Sequence, residues 1–466
     1  MSIDIIKGED MNFINALVSI SEWLWGYPLL IILVGGGLFL TVRLGFFQFR
    51  YLGHILKNTF GKMFQKAEGD GTVSAFQAAT TALASSIGGS SIVGVPVAIA
   101  LGGPGAIFWM WMTALVGCAT KFTEIVLGIK YRQKNKDGDY VGGAMYYLKN
   151  SPLPWLGTFF AFMLMVEVAP SISTQTLTFI QNCENLGLNK YISLGALLVV
   201  VCLVVFGGIK KIASFTEKLV PLMAALYIIG GFIVIFANAS EVPAAFGAIF
   251  KNAFSATAAT GGFLGATLAE GIRNGIARGC YSNEAGMGTA TTAHASASVE
   301  IPAQQGIWAI FEIFANTIIV CTVTALVVLV SGAWTHIDPK LAATMPAYAF
   351  ETVLGKTIGG GFVSLALLMF VLSTIIVIIF FGEKQAEFLF GHTFSLIMRF
   401  VYIGFIILGV VLNLEQLYSL LDLMLAFVVI PNMIGILMMS KEAVDLKDEY
   451  FSNPKYYPGA KEKTQA

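Results

Sequence analysis

Charge is scarce in this chain: Asp, Glu, Lys and Arg make up 12% of its 466 residues, about half the share a water-soluble domain carries on its surface. A soluble globular fold is therefore excluded. Histidine is nearly absent too. The four present (His54, His294, His336, His392) fall in loops or at the ends of apolar stretches, and none sits in a His-Glu-x-x-His motif, which leaves no metalloprotease-type site. Five cysteines (Cys118, Cys183, Cys202, Cys280, Cys321) are widely scattered without a Cys-x-x-Cys pair. A disulfide framework or a structural zinc site is thereby excluded, and small apolar filler is the expected role. No Gly-x-x-x-x-Gly-Lys-Ser/Thr loop occurs, so ATP-driven pumping would need a separate subunit. Net charge is zero, with no long basic or acidic tail, which argues against a nucleic-acid partner. Met1 to Asp10 lacks the basic start of a signal peptide, so the first apolar stretch is expected to stay as a span.

What is plentiful is apolar sequence: 56% of the residues are hydrophobic and the mean hydropathy is +0.76. A membrane span needs about 20 mostly apolar residues. Eleven stretches qualify, near 28–48, 74–100, 104–130, 154–180, 191–209, 217–237, 257–279, 303–331, 360–382, 395–412 and 415–439. Between the sixth and seventh, Glu241 to Ser255 reads as an amphipathic surface helix with Phe246, Ile249, Ala253 and Phe254 on one side. This predicts an all-α integral membrane protein. Residues 1–27 form an N-terminal segment, 28–440 the transmembrane domain, and 441–466 a polar, partly disordered tail. Basic residues gather on the cytoplasmic side. With the N-terminus outside and the C-terminus inside, only Lys7, Lys190, Lys251, Lys340 and Lys356 lie outside, and the other 23 of 28 Lys and Arg lie in or beside cytoplasmic segments. The expected location is the cell (inner) membrane. Ten spans after the first divide into two sets of five, the arrangement of inverted-repeat transporters.

Two spans are interrupted by small residues. The second carries Ser85-Ser86-Ile87-Gly88-Gly89-Ser90-Ser91 at its centre. Ser and Gly are poor helix formers, and unwound backbone at membrane depth is tolerated only where it lines a cavity or is covered by protein. There it offers carbonyls to a cation and N–H groups to a carboxylate; otherwise the small residues serve close helix packing. The seventh repeats the arrangement in Thr260-Gly261-Gly262-Phe263-Leu264-Gly265-Ala266, followed by Glu270 and Arg273. Paired interruptions of this kind point to a transporter binding site.

Longer motifs carry a family resemblance. Leu101-Gly102-Gly103-Pro104-Gly105-Ala106-Ile107-Phe108-Trp109-Met110-Trp111, then Ala119-Thr120-Lys121-Phe122-Thr123-Glu124, resemble the alanine or glycine:cation symporter family. So does Gly275-Ile276-Ala277-Arg278-Gly279-Cys280-Tyr281-Ser282-Asn283-Glu284-Ala285-Gly286-Met287-Gly288, with Ala293-His294-Ala295 after it. The resemblance runs from about residue 28 to 440 and implies a LeuT-type fold: eleven spans, a 5+5 inverted repeat and one extra N-terminal helix. It also implies secondary active uptake of a small neutral amino acid, alanine- or glycine-like, coupled to Na⁺ or H⁺, with no other cofactor. By the same resemblance, the carbonyls near Ala84 and Ile87 bind Na⁺ together with the hydroxyls of Ser373 and Thr374. Substrate contacts come from Ile87, Gly88, Gln175, Phe263 and Thr374. Ser91 stands where the family has Asn, Asn316 where Asp is common, Ile378 where Trp is common, and Glu270 where Gln is common. Ser91 and Asn316 are thus weaker candidates for the cation site, and Ile378 implies a reshaped substrate pocket.

Ionisable groups inside a membrane are costly, and each is a functional candidate. Glu167 and Glu270 are the candidate proton carriers, with pairing of Glu270 to Arg273 or Lys121 as the structural alternative. Glu124 and Glu312 match the family pattern and are expected to hold structural hydrogen bonds. A membrane-embedded enzyme would want a nucleophile–base set or metal cluster in the spans, and a channel a continuous pore or filter. The sequence offers neither.

Overall fold

The computed structural model describes residues 19–460, apart from 22, 64, 66–68, 137, 255–267 and 411–413. Nearly all of it is helical; the described residues hold one small hairpin, Gln133–Lys134 against Tyr140–Val141. In chain order the helices used below are α1 (Tyr27–Arg43), α2 (Leu52–Thr59) and α3 (Ala75–Ser86). They continue with α4 (Ser90–Gly102), α5 (Ala106–Lys130), α6 (Trp155–Asn185), α7 (Lys190–Val205), α8 (Gly208–Ala237) and α9 (Val242–Phe254). The second half comprises α10 (Leu268–Asn283), α11 (Thr291–His294), α12 (Pro302–Val330), α13 (Met345–Leu354), α14 (Lys356–Phe390), α15 (His392–Leu408), α16 (Leu414–Met438) and α17 (Ser440–Ser452).

Helices α5, α6, α8, α12, α14 and most of α16 are each long and apolar enough to cross a membrane, and α3 with α4 makes a further, broken span. Helices α1, α7 and α15 are shorter apolar helices. Most ends fall close to the predicted stretches, but α8 begins at Gly208 rather than near 217. The seventh predicted span is described only from Leu268, so the Thr260–Ala266 interruption lies outside the described residues. In α9, Ile249 and Ala253 are buried against the rest of the protein, while Phe246 and Phe254 stay exposed.

The break in the second span has a local cause at each end. Ser74 and Gln77 form a reciprocal capping box that starts α3. Its last turn is rich in Ser, and Ile87 leaves the helix at ψ 71°. The chain resumes as a π-helical turn over Ser90–Gly94, and Pro96 sits where a helix start tolerates it. The two halves meet at 51°.

Around the break, α14 packs along α6, and α6 along α16; α5 packs on α10 and α12. Small residues permit these approaches. A side chain at Gly275 would fall 2.3 Å from the Ala106 carbonyl, and one at Gly102 would meet Gly271 at 3.0 Å. The tail differs from its sequence reading: residues 440–452 form α17. Its Leu446, Tyr450 and Phe451 are buried, and Phe451 stacks on Tyr51 with ring centroids 4.1 Å apart. The charged residues of this segment hide an apolar, aromatic face in any composition average.

Candidate functional site

The broken span brings backbone polar groups against α14. Ala84, in the last turn of α3, has a carbonyl with no helical partner beyond the break, and two hydroxyls donate to it: Thr374 Oγ1 at 3.0 Å and Ser373 Oγ at 3.4 Å. Both hydroxyls also lie within reach of the Phe370 carbonyl in their own helix, at 2.9 and 2.8 Å. They are therefore shared between their helix and the break, and all three residues are buried. Gly88 is glycine for a reason of space: a Cβ there would stand 2.8 Å from Thr374 Oγ1. The Gln175 amide oxygen, from α6, lies 3.9 Å from the corresponding point at Gly89. Ile378 is half-buried one helical turn beyond Thr374. Ala84, Ile87 and Gly88 make up the break, Ser373 and Thr374 bond to it, and Gln175 stands near Gly89. Phe263 lies outside the described residues.

Ser91 and Asn316 prove to be partners. The Ser91 hydroxyl donates to Asn316 Oδ1 at 2.7 Å, and the Asn316 amide donates to the Ser282 carbonyl at the end of α10. Thr324 donates to the Ser91 carbonyl at 3.0 Å. Asn316 lies in a π-helical stretch of α12, Phe314–Val320, a form that recurs at functional positions. The first broken span, α10 and α12 are therefore joined through one neutral pair just past the break.

Behind this lies a buried set of charges. Lys121 of α5 bridges to Glu312 of α12 at 2.9 Å and donates to the Asn283 carbonyl at 2.9 Å. His294 contacts the other Glu312 oxygen and is held by Gln305 at 2.7 Å. Glu124 accepts from the Gly288 N–H at 3.1 Å and from Asn432 at 2.5 Å. Glu284, at the unusual left-handed φ of 56°, accepts from Thr289 at 2.7 Å and from Ser85 of α3 at 3.3 Å. Lys121 thus pairs with Glu312, not with Glu270. Glu270 stands exposed near the start of α10, at the rim of a cavity shared with Arg273, Arg278 and Asp422. Glu167, in contrast, is buried within α6. In the sequence Glu284 stands out only as part of a longer motif, and His294 as one of four histidines in loops or at the ends of apolar stretches. The structure buries that short segment, α11, completely. Glu284 falls between the seventh and eighth predicted spans, so the rule that flagged Glu167, an acid inside an apolar stretch, passes over it.

Comparison with known proteins settles the family. The sequence model described as the sodium:alanine symporter family matches residues 11–464. The chain belongs to this family. It is 48% identical to the uncharacterized transporter YflA of Bacillus subtilis over 94% of this chain and 93% of that protein. It is 36% identical to the sodium/alanine symporter AgcS of Methanococcus maripaludis over 92% and 95%. In three dimensions it resembles the Eremococcus coleocola manganese transporter, with TM-score 0.52 and 13% identity over 80% of this chain and 84% of that one; this shows a shared fold. This is a family of transporters, not enzymes, which makes this sodium:alanine symporter family member a multi-pass, cation-coupled amino-acid symporter.

Proposed function

We propose that the chain takes up a small neutral amino acid, alanine- or glycine-like, by symport with Na⁺, alternating access around two interrupted spans. One observation carries this reading: the Ala84 carbonyl at the break faces the hydroxyls of Ser373 and Thr374. Hard cations favour such oxygen donors. In this reading the Ile87 carbonyl completes the cage, and the Ser91–Asn316 pair borders it as a neutral neighbour rather than as a ligand pair. The substrate lies on the other side of the break, against the backbone of Ile87 and Gly88, with Gln175, Thr374 and Ile378 around it; the family resemblance adds Phe263, outside the described residues, as a contact. The amide groups at the start of α4 suit its carboxylate. The surrounding frame is a LeuT-type 5+5 inverted repeat with one extra N-terminal helix. Residues 1–27 lie outside, 28–440 in the cell membrane, and 441–466 on the cytoplasmic side.

The test is uptake into proteoliposomes with a panel of amino acids under imposed Na⁺ or H⁺ gradients. Accumulation of alanine or glycine driven by inward Na⁺ is expected. Uptake driven only by a pH gradient would overturn the Na⁺ assignment. A second reading, proton coupling, rests on Glu167, a carboxyl buried in a spanning helix; the exposed Glu270 does not share that setting. If protons drive uptake, Glu167→Gln abolishes the response to the pH gradient. If Na⁺ drives it, the variant stays Na⁺-driven.

A further inference from the structure

A cavity of about 330 Å³ lies between α2, the starts of α3 and α12, and the segment after α17. It is separate from the break: neither Ala84, Gly88 nor Thr374 lines it. Its charge is one-sided. Lys57, Lys62 and Lys455 face it, and the single lining carboxylate, Glu300, is already paired with Lys455 at 2.7 Å. Neither Lys57 nor Lys62 has an ion pair among the described residues. His54, on the same wall, bonds the Tyr450 hydroxyl at 2.9 Å. Burial first, and then the Lys62 and Lys57 charges, hold its imidazole below the ordinary histidine range. It therefore sits largely neutral near pH 7, and among the described lining residues the one carboxylate, Glu300, is taken up by Lys455. Ser74 adds a hydroxyl where α3 begins.

Lys57 and Lys62 are exposed where they line the cavity, so their amines are free to turn toward an occupant, and a compact anion with several acceptor oxygens can take hydrogen bonds from both. We infer that this cavity binds a phosphate-bearing anion, with Lys57 and Lys62 as its principal ligands. Basic pockets at the cytoplasmic ends of spanning helices take lipid head groups in this way, and a free phosphate presents the same chemistry. Because the cavity joins α2 and the tail to the first turns of α3 and α12, an occupant fastens the end of the broken span to its neighbours. It thereby favours conformations in which that end is held.

The inference is tested on the purified full-length protein by thermal unfolding in detergent. The probes are inorganic phosphate in one arm and dioctanoyl phosphatidylglycerol in the other. Saturating probe is expected to raise the wild-type midpoint by a few degrees in at least one arm, and the arm that responds names the source. The shift is lost in Lys57→Gln/Lys62→Gln and kept in Lys57→Arg/Lys62→Arg. It is also kept in Lys134→Gln/Lys136→Gln, which removes equal charge from the exposed hairpin segment outside the cavity. No shift in either arm overturns the inference. So does a shift that survives Lys57→Gln/Lys62→Gln, or one lost equally in Lys134→Gln/Lys136→Gln.

Discussion

At the scale of single residues, Thr374 does three things at once. Its hydroxyl donates to Ala84, reaches Phe370, and fills the space that a side chain at Gly88 would need. If Thr374 is a Na⁺ ligand, losing that ion–dipole contact, taken to be of the order of a hydrogen bond to a charged group (about 1.5–3 kcal/mol), weakens Na⁺ binding about tenfold or more. Thr374→Ala is expected to raise the Na⁺ concentration for half-maximal uptake by that factor. Ser331→Ala removes a hydroxyl that bonds only within the end of its own helix and the turn beyond, and is expected to leave uptake unchanged. Equal Na⁺ dependence in the two variants would remove the cation site from α14. Part of this centre was legible in the sequence: the Gly88–Gly89 interruption followed from composition, and Ala84, Ser373 and Thr374 came only as what the family resemblance implies. The Ser91–Asn316 bond was not. The two residues stand 225 positions apart, and each read alone looked like a lost cation ligand. Together they are a matched replacement in which a neutral amide and a hydroxyl satisfy each other.

At the scale of elements, the packing of α5 against α12 encloses a charge that neither helix tolerates alone. Lys121 and Glu312 are both inaccessible to solvent. Breaking a buried pair by removing one partner costs about 3–5 kcal/mol, while replacing both charges is often close to neutral. Lys121→Met is therefore expected to lower the thermal midpoint of the detergent-solubilised protein steeply, and Lys121→Met/Glu312→Gln to recover most of the loss. A double variant as unstable as the single would show that the Asn283 carbonyl, not Glu312, is the partner that matters. The sequence indicated that Glu312 is structural but not what it meets. Lys121 and Glu312 were both visible as ionisable residues in apolar stretches. Their pairing needs the α5–α12 contact, and His294 joins only because α11 folds inward between them. Periodicity and hydropathy report which faces avoid water; they carry no information on which buried charge finds which. The same limit applies to α17, where a polar average concealed Leu446, Tyr450 and Phe451.

At the scale of the whole molecule, charge is sorted between the two ends of the bundle. Arg43, Lys57, Lys62, Lys130, Arg132, Lys149 and Lys210 all follow or precede helices at the end where α3 and α12 begin. Lys190, Lys340 and Lys356 stand at the end where α6 and α12 finish. Basic residues are retained on the cytoplasmic side during insertion, so the end with α17 is expected inside. The arrangement is checked by labelling with a membrane-impermeant maleimide in intact cells. Four native cysteines are buried and Cys202 is half-buried, so Cys202→Ala provides a quiet background. Lys340→Cys is expected to label at once, and Glu449→Cys only after the membrane is permeabilised; both positions are exposed. The reverse pattern would turn the molecule over. It would also move Lys57 and Lys62 to the outer leaflet, away from the anionic lipids and phosphate esters of the cytoplasm. One measurement of sidedness thus decides both the topology and whether the lysine cavity meets the anions its charge is built to hold.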